Sequence, residues 1–165
     1  MAFQKLTPEE LRQHKGVSFT GITTVFVCHD GQGKIFLTKR SQNTRDEHGR
    51  WDPGGGGLKH GQAIEANMLR EVKEEYGVEP INYEFIGYFD AFRKTPEGLP
   101  THWLAMIFAV HVDPAQVKIM EPENVDDSGW FSLDALPDPL HSQFTLFLEQ
   151  FKDKFHQTIR SSYQR

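Results

Sequence analysis

The chain has 165 residues, 38% of them hydrophobic, one cysteine and a formal charge of −5 at pH 7. Such a chain can bury one globular core, while a lone cysteine excludes an internal disulfide and points to a reducing compartment. The acidic balance argues against a general binder of nucleic-acid polymers, which carries a basic stripe; no apolar run reaches membrane-spanning length and Met1–Gly16 lacks a signal peptide's apolar centre, so a cytoplasmic protein without a membrane partner is expected.

Thr7-Pro8-Glu9-Glu10 reads as a helix start, with Thr7 as cap, Pro8 at the first helical position and Glu10 closing a capping box; the short helix runs over 8–14. From Val17 to Val27, β-branched and aromatic residues dominate, which predicts a strand. Cys28 reads as a small buried strand residue. Asp30-Gly31-Gln32-Gly33 is a hairpin turn, and Lys34–Arg40 returns as the second strand. Ser41–Arg50 is polar and charged, a loop long enough to be functional. Trp51-Asp52-Pro53 then leads into four glycines, with Asp52 pushed extended by the proline after it.

The stretch from Gly54 to Val78 organises the rest. A helix is predicted from near Gln62 to Gly77, which supplies a left-handed C-terminal residue. Ile64, Met68, Leu69, Val72 and Tyr76 share the arc to be buried. Glu71, Glu74 and Glu75 fall at i, i+3 and i+4 beside it, where like charges repel by roughly 0.2–0.5 kcal/mol per pair. Taken alone, such a stripe is more often a solvated acidic face, here softened by Arg70 and Lys73. The glycines in front change the balance, because backbone without Cβ lets a ligand come close. Three carboxylates beside such a loop can hold a cation against phosphate oxygens, and magnesium suits an oxygen set of that kind.

Beyond the helix, Tyr83–Arg93 and Thr101–Val112 are predicted strands joined by a loop with Pro96, Gly98 and Pro100. Their near-continuous apolar runs suggest burial on both faces. Glu121–Ser128 reads as an acidic loop and Gly129–Phe131 as a short strand. A last helix from about Ser142 to residue 158 carries Phe144, Phe147, Leu148, Phe151 and Phe155 at core spacing. With no repeat, low-complexity tract or dividing linker, this order implies a three-layer α/β/α sandwich.

The glycine–helix stretch resembles the Nudix box: Gly, five residues, Glu, seven residues, Arg-Glu, a bulky apolar residue, any residue, Glu-Glu, any residue, Gly, a bulky apolar residue. With Gly56 in first place, Arg70, Glu71, Val72, Glu74, Glu75, Gly77 and Val78 all land in register, while Gln62 stands where a Glu is expected. Lys59 is a second departure, since a Glu often sits there. Trp51 and Pro53 before the glycines, and the close EPENVDDSGWFSLDALPD, extend the resemblance to roughly residues 17–155.

The resemblance implies one Nudix (MutT-type) hydrolase domain over 1–165, an α/β fold with a mixed β-sheet and the box at 56–78. The implied chemistry is metal-dependent hydrolysis of a nucleoside diphosphate linked to another moiety, a (d)NTP or nucleotide sugar above all, by water attacking phosphorus. Displacement at phosphorus asks a protein chiefly for alignment and charge neutralisation. Glu71, Glu74 and Glu75 are the metal ligands so implied, with the Gly55 carbonyl as a fourth, for Mg²⁺ or, as second choice, Mn²⁺. One of these carboxylates, or Glu121 or Glu123, would be the base, with Glu123 carried forward as a catalytic candidate. Arg70 would either bind phosphate or orient a neighbouring Glu, the second being favoured.

Lys39, Arg40 and Gly56 are candidates for the phosphate side of a nucleotide. Trp51, Phe89, Phe92 and Trp103 are candidates to stack on its base, each weighed against a place in the core or rim. His48, His60 and His102 form no metal-binding pattern. Many relatives are dimers, so a homodimer is open, although no stretch marks an interface. Two alternatives are a non-catalytic Nudix-fold module that senses a nucleotide, which Gln62 favours, and, ranked last, an isomerase of isopentenyl-diphosphate type, for whose proton chemistry this chain has no cysteine in the glycine-rich region.

Overall fold

The computed structural model describes residues 6–161. Helix α1 (Pro8–His14) is closed at its start by reciprocal hydrogen bonds between Thr7 and Glu10. Seven strands then appear among the described residues: β1 (Gly21–His29), β2 (Lys34–Arg40), β3 (Trp51–Asp52), β4 (Gly54–Gly57), β5 (Asn82–Lys94), β6 (Pro100–His111) and β7 (Val125–Ser132). Helix α2 (Ile64–Tyr76) lies between β4 and β5, and α3 (Ser142–Ser161) ends the fold.

The strands form one mixed sheet with the path β3-β2-β1-β6-β5; β4 pairs with β1 and β7 with β2. Only the β1–β6 pairing is parallel among these; it runs from Gly21↔Trp103 to His29↔His111. Alternation along β1 then sorts its side chains between two cores. Val27 joins Ile35, Leu37, Ile107 and the α3 residues Phe144, Phe147, Phe155 and Ile159 on one face. Phe26 and Cys28 join Phe36, Phe108 and the α2 residues Met68, Val72 and Tyr76 on the other. Each fully buried side chain of this size contributes roughly 1.5–3 kcal/mol, so both helices are fixed by the sheet they cover. The result is the α/β/α sandwich with a mixed sheet expected from the order of elements.

Several boundaries move, each for a local reason. The first strand begins at Gly21 rather than Val17. Before it the chain turns at Gly16 (φ 81°), whose N–H donates to the Phe19 carbonyl, and the Trp103 ring lies where a Cβ of Gly16 or Gly21 would be. Helix α2 starts at Ile64 rather than Gln62, because Gly61 (φ 80°) turns the chain and the Gln62 N–H is given to the Lys59 carbonyl. The acidic segment holds a 3₁₀ turn, Pro122–Asn124, followed by the full strand β7, longer than the three residues expected. Strand β5 is an edge with Tyr88 and Phe92 exposed, so burial on both faces fails there: its apolar run spans one inner and one outer face.

At the far end of β1 and β6, His29 (1% exposed) stacks on His111 with ring centroids 5.1 Å apart, and its Nδ1 accepts from the Gly31 N–H. Burial, and then the nearness of His111, lower the His29 pKa from 6.5 to about 4. The neutral ring therefore stabilises the fold fully above pH 6.5, and that stabilisation is lost as pH falls through 4. Between pH 7.5 and 5.0 the loss from this ring should reach about 2 kcal/mol. His29→Gln is expected to flatten that part of the pH profile in urea unfolding; an identical pH dependence in the variant would show that His29 does not titrate in this way.

Candidate active site

Strand β4 is the pivot of the site. Its pairing with β1 (Thr23↔Gly57 to Phe26↔Gly54) pins the glycines flat against the sheet. A Cβ on Gly56 would lie 2.1 Å from the Glu71 carboxyl carbon, and one on Gly54 would lie 2.9 Å from Glu75 Oε2. The missing side chain at Gly56 is thus the space that the Glu71 carboxylate occupies, and the one at Gly54 is filled by the Phe26 ring with Glu75 beside it. Alternate glycines face α2, so the acids at the two ends of one helical turn, Glu71 and Glu75, meet bare backbone.

The helix is locked to the strand by a residue that sequence reasoning passed over. Asn67 is fully buried; its Nδ2 donates to Thr24 Oγ1 (2.8 Å) and the Gly56 carbonyl (3.3 Å), and its Oδ1 accepts from Arg70 (2.8 Å). Its signal was available: Asn67 lies four residues before Glu71, on the same helical stripe. Thr23 and Thr24 hydroxyls also donate to the Gly56 carbonyl.

The three glutamates differ in setting. Glu75 is half-buried and accepts from the Gly55 N–H at 3.3 Å. Burial first, and then Glu71, push its carboxyl well above the ordinary range; Glu121 and Asp52 add to this and the Gly55 N–H opposes it. Glu71, 13% exposed, and Glu74, 49% exposed, are both ion-paired with Arg70. Among the described residues no three acidic, His or Cys side chains are gathered into a metal cage. Arg70 is the countercharge of Glu71 and Glu74, while Glu75 stands outside that pairing.

A cavity of about 580 Å³ opens beside β4 and runs to the first turn of α3. Gly55, Gly56, Glu75, Asp52 and Glu121 are among its lining residues, and so are Phe89, Trp103, Gln143, Phe144 and Phe147. Glu71, Glu75, Glu121 and Asp52 offer the hard oxygen donors that a small divalent cation takes. The repulsion that raises the Glu75 pKa is relieved by such a cation, so the residues present fit one.

Of the remaining candidates, Arg40 lines the cavity, but its guanidinium is taken by Asp46 (3.1 Å) and Asp52 (3.3 Å). Lys39 is not among the lining residues, because β2 turns it away from the side that Arg40 lines. Glu123 is exposed and also off the cavity; its carbonyl accepts from Ser41 and Asn43, and Glu121 holds the place facing Glu75 instead. Trp51 is no stacking platform: it is 8% exposed, packs edge-on against Phe131 and sits in the α3-side core. Phe92 is exposed and stacks on His102, away from the cavity lining, whereas Phe89 and Trp103 line it.

A charged network that the sequence did not reveal closes the cavity's rim. Arg93 binds Asp46 (2.9 Å) and Glu47 (3.0 Å), and Glu47 accepts from the Ser142 N–H (2.8 Å) and hydroxyl (2.6 Å), which caps α3. Its partners are nearly fifty and a hundred residues away in sequence, beyond any local pattern. Burial raises Asp52 to about 7 despite Arg40, and burial lowers the nearby His141, which keeps that ring neutral.

Three comparisons bear on this geometry. The chain is 37% identical over 89 residues to the NAD-capped RNA hydrolase NudC of Pseudomonas aeruginosa strain LESB58, a match covering 53% of this chain and 28% of that protein. It is 27% identical over 124 residues to the ADP-ribose pyrophosphatase of Methanocaldococcus jannaschii, covering 75% of this chain and 66% of the relative. The crystal structure of a MutT NUDIX hydrolase from Burkholderia pseudomallei superposes with a TM-score of 0.69 at 27% identity, over 80% of this chain and 98% of that one. The NUDIX domain model matches residues 20–154, a span holding the glycine strand, the acidic helix and the cavity, and the chain belongs to that family.

Proposed function

We propose that this chain is a divalent-metal-dependent pyrophosphohydrolase that cuts the diphosphate linkage of a nucleoside diphosphate joined to another group, such as a (d)NTP or a nucleotide sugar. The observation that carries it is Glu75: a half-buried carboxylate against bare glycine backbone, facing Glu71, Glu121 and Asp52. The names of the similar hydrolase and pyrophosphatase agree with the reaction class.

In this reading Glu71, Glu74 and Glu75, with the Gly55 carbonyl, hold Mg²⁺, or Mn²⁺ in its place. A bound ion of this kind neutralises phosphate oxygens and makes water acidic enough to attack phosphorus. The chain's own work is to align the substrate. Flat glycine backbone lets the diphosphate approach. Arg70 positions Glu71 and Glu74 through charge-assisted hydrogen bonds. Glu121, which follows Met120, whose N–H donates to the Glu75 carbonyl, replaces Glu123 as the loop carboxylate that could take the proton of the attacking water. A small nucleotide is the partner, and half-buried Trp103 on the cavity wall is the aromatic ring left open to its base.

A panel of (d)NTPs, nucleotide sugars, ADP-ribose and NAD tests this, with and without Mg²⁺ and with products identified. Release of phosphate, pyrophosphate or a nucleoside monophosphate that stops with EDTA is the expected result. Nucleotide binding with no cleavage under Mg²⁺ or Mn²⁺ would instead establish a sensing module.

A further inference from the structure

Gln143, on the cavity wall, carries a polar atom that the protein itself leaves unanswered. The side-chain Oε1 of Gln143 is shut off from water and has no hydrogen-bond partner among the described residues. Gln143 lines the cavity beside Phe144, Phe147 and Phe89. Its Nε2 donates to Ser142 Oγ at 3.4 Å, which leaves the carbonyl as the free end of the amide. The charged groups nearby are answered by one another: Arg93 by Asp46 and Glu47, Arg40 by Asp46 and Asp52.

We propose that Gln143 accepts a hydrogen bond from an exocyclic amine of the bound nucleobase, so that the cleft selects adenine, guanine or cytosine over hypoxanthine and uracil. This rests on the reading that the cleft takes a nucleotide. A buried acceptor with no partner is satisfied only by a ligand that donates. An amide terminal torsion is soft, so the carbonyl turns toward a ring held in the cavity at little cost. Hypoxanthine and uracil carry a carbonyl where adenine and cytosine carry that amine, which would set oxygen against oxygen, and sites built on such a bond reject analogues that lack it. The sign of the preference is therefore diagnostic of the amide's orientation.

Equilibrium binding of nucleoside monophosphates separates this from catalysis. Wild-type protein is expected to bind AMP tighter than IMP, and CMP tighter than UMP, each by about tenfold. Gln143→Leu should bring both ratios to within about twofold while keeping or raising the melting temperature, since it removes an unpaired buried carbonyl. Gln143→Met serves as a second apolar variant of similar length. Equal binding of both bases by wild type, a preference for IMP and UMP, or ratios unchanged in the folded variants would each overturn the assignment. Base preference in binding without any hydrolysis would support it and count against the hydrolase reading alone.

Discussion

Glu75→Gln is expected to lower kcat for nucleotide hydrolysis by at least about a hundredfold and, in the absence of divalent ions, to leave the melting temperature unchanged or raised. The two effects share one cause. Glu75 is charged at a cost, because burial and the neighbouring Glu71, Glu121 and Asp52 all disfavour its ionised form. Its folded pKa lies above 4.5, so the folded state holds a proton that the unfolded state releases. Stability from this group is therefore present at low pH and is lost as pH rises through the folded pKa. A neutral glutamine keeps the acceptor for the Gly55 N–H and removes the repulsion. A cation held between these carboxylates supplies the opposite reward, so wild type should gain more melting temperature from Mg²⁺ than the variant does. Thermal melts with EDTA and with Mg²⁺, beside a rate measurement, check both halves. A variant that is less stable without metal, or that hydrolyses at the wild-type rate, would remove Glu75 from the site.

Much of this site could be read from local spacing, because its core is one strand and one helix adjacent in sequence. Glycines facing glutamates need only the period of a helix and the absence of Cβ, and both are written in residues 54–78. The face carrying Met68, Val72 and Tyr76 followed from the same period. What failed were the residues whose setting depends on distant chain. Trp51 looked available until β3 placed it in the α3-side core against Phe131. Glu121 and Glu123 are two residues apart, and only the 3₁₀ turn at Pro122–Asn124 decides which one meets the cleft. Glu47 and Arg93 answer each other across 46 positions. Gln143 looks like an ordinary polar helix residue, and only the walls around it make its carbonyl unusual.

Gln62→Glu is expected to reduce the Mg²⁺ concentration for half-maximal activity by about tenfold or more, within the range for residues that orient metal ligands. The wild-type chain leaves Gln62 Oε1 and Arg70 Nε both buried and unpartnered. With nothing among the described residues to accept from its Nε–H, Arg70 commits its terminal nitrogens to Asn67, Glu71 and Glu74. A carboxylate at 62 offers the guanidinium a charged acceptor within the same loop–helix junction. Charge drawn toward position 62 weakens the Arg70 contacts to Glu71 and Glu74, which a cation must otherwise displace. Calorimetric titration of Mg²⁺ into the wild type and the variant reads this directly, and Arg70→Lys, which keeps charge but loses the planar fork, should blunt the gain. If Mg²⁺ affinity is the same with either residue at 62, Arg70 does not compete with the ion, and the amide in this chain is a neutral departure from the box.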